Sequence, residues 1–318
     1  VQSALKGEFF MRSITRLQFI VLSMLLLPAA AAADSHDTFE QQLTIADTFN
    51  LDVSTGSGSI EIISGPGRDV IVVGKVKANR SGLFRSSAGA DEAVQAVIEN
   101  PPIDLSGDTL KVGYIKDRSI RRKVSISYEI VVPADTEVQA KAGSGSIKVE
   151  NIAAAVEVRS GSGRLRLSDI GGAVHAKSGS GSIRAEGVAG AFTASAGSGG
   201  IYLSQTAPGD VNVSTGSGGI ELTGVVGALK ASAGSGRIRV DGQQAGDWKL
   251  GAGSGSVRIG LPDDAAFTLD AETGSGGIDV EHPLTVEGRI SRRHIRGDVR
   301  GGGHELRINT GSGGIHIE

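Results

Sequence analysis

The sequence predicts an all-β protein, a parallel β-solenoid (β-helix) with coils of about 18 residues and an N-terminal capping segment. Three observations predict it. The motif Gly-Ser-Gly, followed by Ser, Gly or Arg and then an aliphatic residue, occurs ten times. Eight consecutive copies, starting at Gly143, Gly161, Gly179, Gly197, Gly216, Gly234, Gly253 and Gly274, are spaced by 18, 18, 18, 19, 18, 19 and 21 residues. So short a period marks repeats that bury their apolar faces only against their neighbours. Apolar or small residues also alternate with polar ones on both sides of every motif, the pattern of strands with one buried face. Lastly, a second set of turn residues, such as Gly171-Gly172 and Pro208-Gly209, closes each repeat at its far end.

The elements follow in order. Residues 1–33 read as an upstream extension plus a secretory signal peptide. Residues 1–10 precede Met11, Arg12 and Arg16 precede the apolar run 17–27, and Ala31-Ala32-Ala33 offers a cleavage site. The run is shorter than the roughly 20 apolar residues that span a bilayer, so no transmembrane anchor is expected after cleavage. Residues 38–135 form the expected N-terminal cap, which also holds the first repeat, with Leu51, Val53 and Ile60, Ile62 flanking Gly56. Strands are predicted at 70–76, 109–115 and 124–132, and a helix at 90–100 ended by Pro101-Pro102. Lys116, Arg118, Arg121, Arg122 and Lys123 read as a solvated hairpin loop.

Residues 136–318 form the expected array. Inward positions on the first strand of successive coils run Val138, Val156, Val174 and so on to Leu269; on the second they run Ile147, Leu165, Ile183 and on to Ile278. A third, very short strand at the second corner is left open. The motif glycines are expected to supply positive φ and close backbone approach. Between Gly274 and Gly311 one motif is missing, and the interval, rich in Arg289, Arg292, Arg293, Arg296 and Arg300, reads as one degenerate coil and a loop before the final coil.

Composition excludes several function classes. The chain has no cysteine, which removes disulfides, thiol catalysis and cysteine-ligated metal. Removing residues 1–33 takes three basic and one acidic side chain from totals of 32 and 35, moving the net charge from −3 to −5. That acidity argues against nucleic acid as a partner. The motif is not a phosphate loop, because no Lys-Ser/Thr pair follows and a strand comes next. Calcium-binding rolls need an Asp at one place in every turn, which only Asp279 approximates. His36, His175, His282, His294, His304 and His316 show no metal spacing, although His294 and His304 could meet in the terminal loop; no metal or other cofactor is expected.

The opening 51–60 (Leu-Asp-Val-Ser-Thr-Gly-Ser-Gly-Ser-Ile), the lead-in 131–138 and the closing 310–315, with the repeats between, resemble the bacterial adhesin-like family of β-strand repeats with Gly-Ser-Gly motifs, a domain of unknown function related to autotransporter adhesin head domains. The resemblance covers residues 40–318. It implies an exported β-helical protein of the cell envelope and transfers no catalytic residues.

Candidate binding residues come from the outward positions of the second strand. Lys148, Arg166 and Arg184 should stack at strand spacing with Tyr202 beside them, a geometry suited to an acidic glycan or an envelope lipid headgroup. The competing reading is a charged face that keeps the solenoid soluble, with pairs such as Lys148 and Glu150 contributing about 0–1 kcal/mol each. The functional expectation is therefore an exported, non-enzymatic, adhesin-like binding protein, periplasmic or at the cell surface. One alternative is a periplasmic accessory that binds another envelope protein. Another is a polysaccharide-cleaving β-helix enzyme, disfavoured because the dense acidic pair Asp263-Asp264 reads as a turn and loops that could wall a cleft are scarce.

Overall fold

The computed structural model describes residues 37–45, 49–79, 89–286 and 291–318. The expected signal peptide, His36 and Arg289 lie outside the described residues. The chain is all-β: the described strands join in one 25-stranded sheet, with helices among the described residues only at Ala90–Glu99 and Arg118–Lys123. No helix among the described residues is long and apolar enough to cross a membrane.

Alternation around each motif becomes a stack of layers because every inward side chain meets its equivalent in the next layer. On the first strand Val138 pairs in parallel with Val156, and the row continues through Val174, Phe192, Val211 and Leu229 to Trp248. On the second strand the row is Ile147, Leu165, Ile183, Ile201, Ile220, Ile238 and Val257. All of these are at most 3% exposed. At roughly 25 cal/mol per Å² of apolar surface removed from water, this continuous interior dominates the stabilisation of each layer.

A third inward row follows the second strand, with Ile152, Ile170, Val188 and Val225 fully buried. The chain reaches it by a left-handed corner at the residue before: Asn151 (φ 58°), Asp169 (φ 55°), Gly187 (φ 70°) and Gly224 (φ 69°). Those are the residue types that enter this region at least cost.

The motif glycines do not follow the expectation of positive φ, since none of them, all among the described residues, is left-handed. They are needed because the turns stack backbone on backbone. A Cβ on Gly161 would lie 2.4 Å from the Gly143 carbonyl oxygen, and one on Gly163 would lie 1.8 Å from that of Gly145. Buried hydroxyls lock adjacent turns together. Ser160 Oγ accepts from the Gly163 N–H at 2.8 Å and donates to the Gly145 carbonyl at 3.1 Å. Thr215 repeats this with Gly218 and Gly199, and Thr273 with Gly276 and Gly313.

Stacking order departs from chain order at both ends. The first repeat, Asn50–Thr55 and Ile60–Ser64, lies directly against the layer of Glu137–Ala142 and Ile147–Ile152, with Val53 facing Ala140 and Ile60 facing Ile147. Its other side is covered by Thr109–Val112 and Val124–Val132. Asp69–Ala78 then pairs antiparallel with Val124–Val132, and Asp37–Thr44 with Asp69–Ala78. At the other end, His304–Thr310 and Ile315–Ile317 insert between the layer of Trp248 and Val257 and the layer of Leu269 and Ile278. The expected degenerate coil is instead an antiparallel return: His294–Val299 pairs with Phe267–Thr273 and with Leu284–Val286. The edge of Phe267–Thr273 on which a further parallel layer would stack is thereby occupied.

The N-terminal segment has further differences from the sequence reading. Strands form at Asp37–Thr44 and Ile103–Ser106. The basic stretch is the helix Arg118–Lys123 rather than a hairpin loop, started by Asp117, whose carboxylate accepts from the Ser119 N–H at 2.7 Å. Helix Ala90–Glu99 and strand Val124–Val132 match expectation.

Candidate binding face

Because the second strands pair in register, their outward side chains also form rows. Lys148, Arg166, Arg184 and Tyr202 are consecutive in one row, as predicted, and the row continues through Glu221, Arg239, Arg258 and His316 to Asp279. On the opposite side of Lys148 it runs to Glu61 and then Glu129.

The four predicted residues are not equivalent. Lys148 Nζ pairs with Glu150 at 2.7 Å and Glu61 at 2.8 Å. Those hydrogen bonds, Glu150's first, hold its ammonium above the ordinary lysine pKa. Its charge is matched within the protein. Arg184 pairs with Glu186 at 2.6 Å, and its guanidinium carbon stands 4.2 Å from the centre of the Tyr202 ring. A cation over an aromatic face contributes about 0.5–1 kcal/mol at an exposed site and restrains the guanidinium. Arg166 is exposed and makes no hydrogen bond or ion pair among the described residues.

A parallel row that the sequence reading did not use lies beside this one: the fourth residue of each motif. Backbone hydrogen bonds stack Arg164, Ser182, Gly200, Gly219, Arg237 and Ser256 in that order, each carbonyl accepting from the inward aliphatic N–H of the layer before. Together the two rows enclose a recess of about 570 Å³ lined by Arg164, Arg166 and Arg184 on one side, Arg237 and Arg239 on the other, and Tyr202 and Glu221 between. A smaller recess of about 400 Å³ continues past Arg239 to Arg258 and His316. Arg237 and Arg164 were missed because the fourth motif position reads as part of a turn. Its variability, Ser, Gly or Arg where the flanking glycines are fixed, was the available signal.

At the end of the row His316 stands among carboxylates: its Nδ1 is 3.0 Å from Asp279 Oδ2, and its Nε2 is 3.1 Å from Glu318 Oε2 and 3.6 Å from Glu281 Oε1. One donor atom from each of Asp279, Glu281 and His316 lies within 4.8 Å of the others, a set with the composition of a divalent-cation site. His294 and His304, which the sequence allowed to meet in the terminal loop, do not meet. They face opposite ends of strand Phe267–Thr273, beside Asp270 and Asp247 respectively. Asp263-Asp264 sits in a turn, where the Asp263 carbonyl accepts from the Arg300 guanidinium at 2.9 Å.

A separate recess of about 500 Å³ lies near the N-terminal end, with Tyr114, Lys116, Arg121 and Tyr128 in its lining. The Tyr114 hydroxyl donates to Asp52 at 2.9 Å, and burial together with that bond pushes its pKa up to about 12. The Tyr128 hydroxyl is buried with no hydrogen-bond partner among the described residues.

Layers of parallel strands that present rows of side chains define the class: an all-β repeat protein whose surface chemistry is written along its stacking axis. The chain belongs to the Toastrack DUF4097 family, whose model matches residues 102–318. No curated protein matches it. Two solved structures are similar. One is a "putative cell adhesion protein" from Clostridium sporogenes ATCC 15579, 13% identical, with 88% of this chain and 98% of that chain covered and a TM-score of 0.19. The other is a "putative adhesin" from Bacteroides fragilis NCTC 9343, 12% identical, with 88% and 97% covered and a TM-score of 0.40.

Proposed function

We propose that the protein is an exported, non-enzymatic parallel β-solenoid, with coils of about 18 residues, that binds an anionic envelope or surface ligand in an adhesin-like role. Residues 38–135 serve as its cap and 136–318 as its array. The observation that carries this reading is the register that places Arg166, Arg184, Arg239 and Arg258 in one row with Arg164 and Arg237 beside it. Arginine is suited to the role because its planar fork makes two parallel hydrogen bonds to a carboxylate, sulfate or phosphate. Lys148, held by two carboxylates, Glu61 and Glu150, lies outside the lining of the recess, whereas Arg184 and Arg239, which pair with one carboxylate each, Glu186 and Asp241, are part of it.

The test is an array of acidic glycans and envelope lipids probed with the full chain and with an Arg166→Ser/Arg184→Ser variant. Saturable binding that the variant loses supports the reading; equal binding by both places the ligand elsewhere. The alternative, a periplasmic accessory that docks an envelope protein through its N-terminal end, is favoured by the basic helix Arg118–Lys123 beside the Tyr128 recess. Cell fractionation separates the two, since an adhesin reaches the outer surface and an accessory stays periplasmic.

A further inference from the structure

The recess that holds Tyr202 is not a uniformly basic groove. Its two arginine groups, Arg164 with Arg166 and Arg184, and Arg237 with Arg239, are divided by the layers of Tyr202 and Glu221. Arg184 and Arg239 are three strands apart, and Arg166 and Arg239 four, which at about 4.8 Å per strand separates the groups by about 14–19 Å. Between them the fourth-position row carries Gly200 and Gly219.

Neither glycine is demanded by the backbone. Neither has a left-handed φ, and a Cβ would stand 3.3 Å from the Gly219 oxygen at Gly200 and 3.4 Å from the Arg237 oxygen at Gly219. By contrast, a Cβ on the neighbouring Gly199 or Gly218 would be about 2 Å from a carbonyl oxygen. The same row accommodates Arg164, Ser182, Arg237 and Ser256 in other layers. What Gly200 and Gly219 provide is room.

In that room Glu221 is the ionised side chain, exposed and without an ion pair among the described residues. A carboxylate there repels a second negative charge at close range. It accepts hydrogen bonds from hydroxyl groups at no such cost. The row therefore reads cation, aromatic and carboxylate, cation, and the ligand that complements it reads anion, neutral hydroxyl donor, anion.

We propose that this recess binds a saccharide carrying two phosphate or sulfate groups about 14–19 Å apart, the span of three to four strand spacings, with uncharged, hydroxyl-bearing sugar units between them. This rests on the anionic-ligand reading above and narrows it. Each arginine group holds one anion, the floor over Gly200 and Gly219 admits the sugar, and Glu221 accepts hydrogen bonds from its hydroxyl groups and turns away polymers charged at every unit. Tyr202 acts through Arg184, holding its guanidinium against the ring.

The experiment uses the full chain and a ladder of neutral oligosaccharides, one to five hexose units long, phosphorylated at both ends or at one end only. Each probe is offered free in solution and again displayed on zwitterionic vesicles, which separates a soluble glycan from a lipid headgroup as the source. The expected result is an optimum at the member whose phosphates stand about 14–19 Å apart, at least about tenfold tighter than its singly phosphorylated form because the second contact becomes intramolecular. Arg164→Ser/Arg166→Ser and Arg237→Ser/Arg239→Ser should each reduce binding to the singly phosphorylated level. Gly219→Gln, which fills the recess without changing charge, should abolish the length preference. Glu221→Gln should raise affinity for dextran sulfate while changing the optimum ligand by less than about threefold. A ladder without an optimum, or singly and doubly phosphorylated forms binding alike, overturns the two-anion site and leaves the anionic-ligand reading standing. Binding of no anionic probe overturns both.

Discussion

Gly161 and Gly56 occupy the same position of the same motif, yet only one of them is confined. A Cβ on Gly161 would meet the Gly143 carbonyl at 2.4 Å, whereas one on Gly56 has nothing within 4 Å, because no motif turn stacks on its outer side. Gly161→Ala should therefore destabilise by about 1–3 kcal/mol, the usual cost of overpacking, and Gly56→Ala by about 0.5 kcal/mol or less. Urea titration of both variants checks this, and equal costs would show that local dihedral freedom, not the neighbouring layer, is what the motif protects. The inward and outward registers differ more sharply. Ile183→Asp buries an unpaired carboxylate in the core and should cost several kcal/mol, about 4 or more, while Arg184→Glu on the same strand should leave the thermal midpoint nearly unchanged. The motif was legible in the sequence but the reason for its glycines was not, since the clash is with a residue one whole period away and no local dihedral records it.

At the scale of the element, the strands are held across layers by polar contacts that alternation cannot reveal. Asp270 on Phe267–Thr273 faces Arg307 on one neighbour and Arg296 on the other, with His294 Nε2 at 3.2 Å and Arg307 at 3.1 Å. Burial alone would raise its pKa, but the hydrogen bonds from His294 and Arg307 and the charges of Arg296 and Arg307 outweigh it and hold the carboxyl below the ordinary aspartate value. A depressed folded-state pKa means that the stabilisation is fully present above the unfolded value, near 3.9, and is lost as pH falls through the folded one. Asp270→Asn should thus destabilise by about 1–3 kcal/mol at pH 7, and the gap between variant and parent should close below about pH 4. Melts from pH 3 to 7 measure it; a gap independent of pH would mean that the carboxylate is not the group responsible. The corners show a similar limit of legibility. Gly187 and Gly224 stand out as turn residues, but Asn151 and Asp169 do the same left-handed work inside otherwise ordinary strand sequence. The helix Arg118–Lys123 was hidden because a six-residue helix shows too little periodicity to be distinguished from a basic loop.

For the whole molecule, periodicity fixes what lies within a layer but not which layer lies next to which. Val138 to Trp248 stack in chain order, and that part was readable from spacing alone. The layer of Leu306 and Ile308 does not follow this order. It lies between the layers of Trp248 and Leu269, both far earlier in the chain, and the segment that separates it from Leu269 turns back antiparallel along the same strand. Pairings across such distances require closing long loops before any contact is gained, so sequence patterning near either partner carries no trace of them. The arrangement makes the last motif an internal layer rather than a terminal one. Leu306 and Ile308 are fully buried, with Trp248 and Leu250 on one side and Leu269 and Ala271 on the other. Ile308→Asp should therefore disturb two interfaces at once. In hydrogen exchange, amides of residues 248–252 and of Phe267–Thr273 should lose protection together, while Val156–Ser160, five layers away from Trp248 along the stack, keeps its protection because repeat layers couple mainly to nearest neighbours. If layers were stacked in chain order, residues 248–252 would be covered by Leu269 and would stay protected in that variant. Loss of protection at 248–252 therefore distinguishes the inserted layer from a simple spiral, and its absence would overturn the insertion.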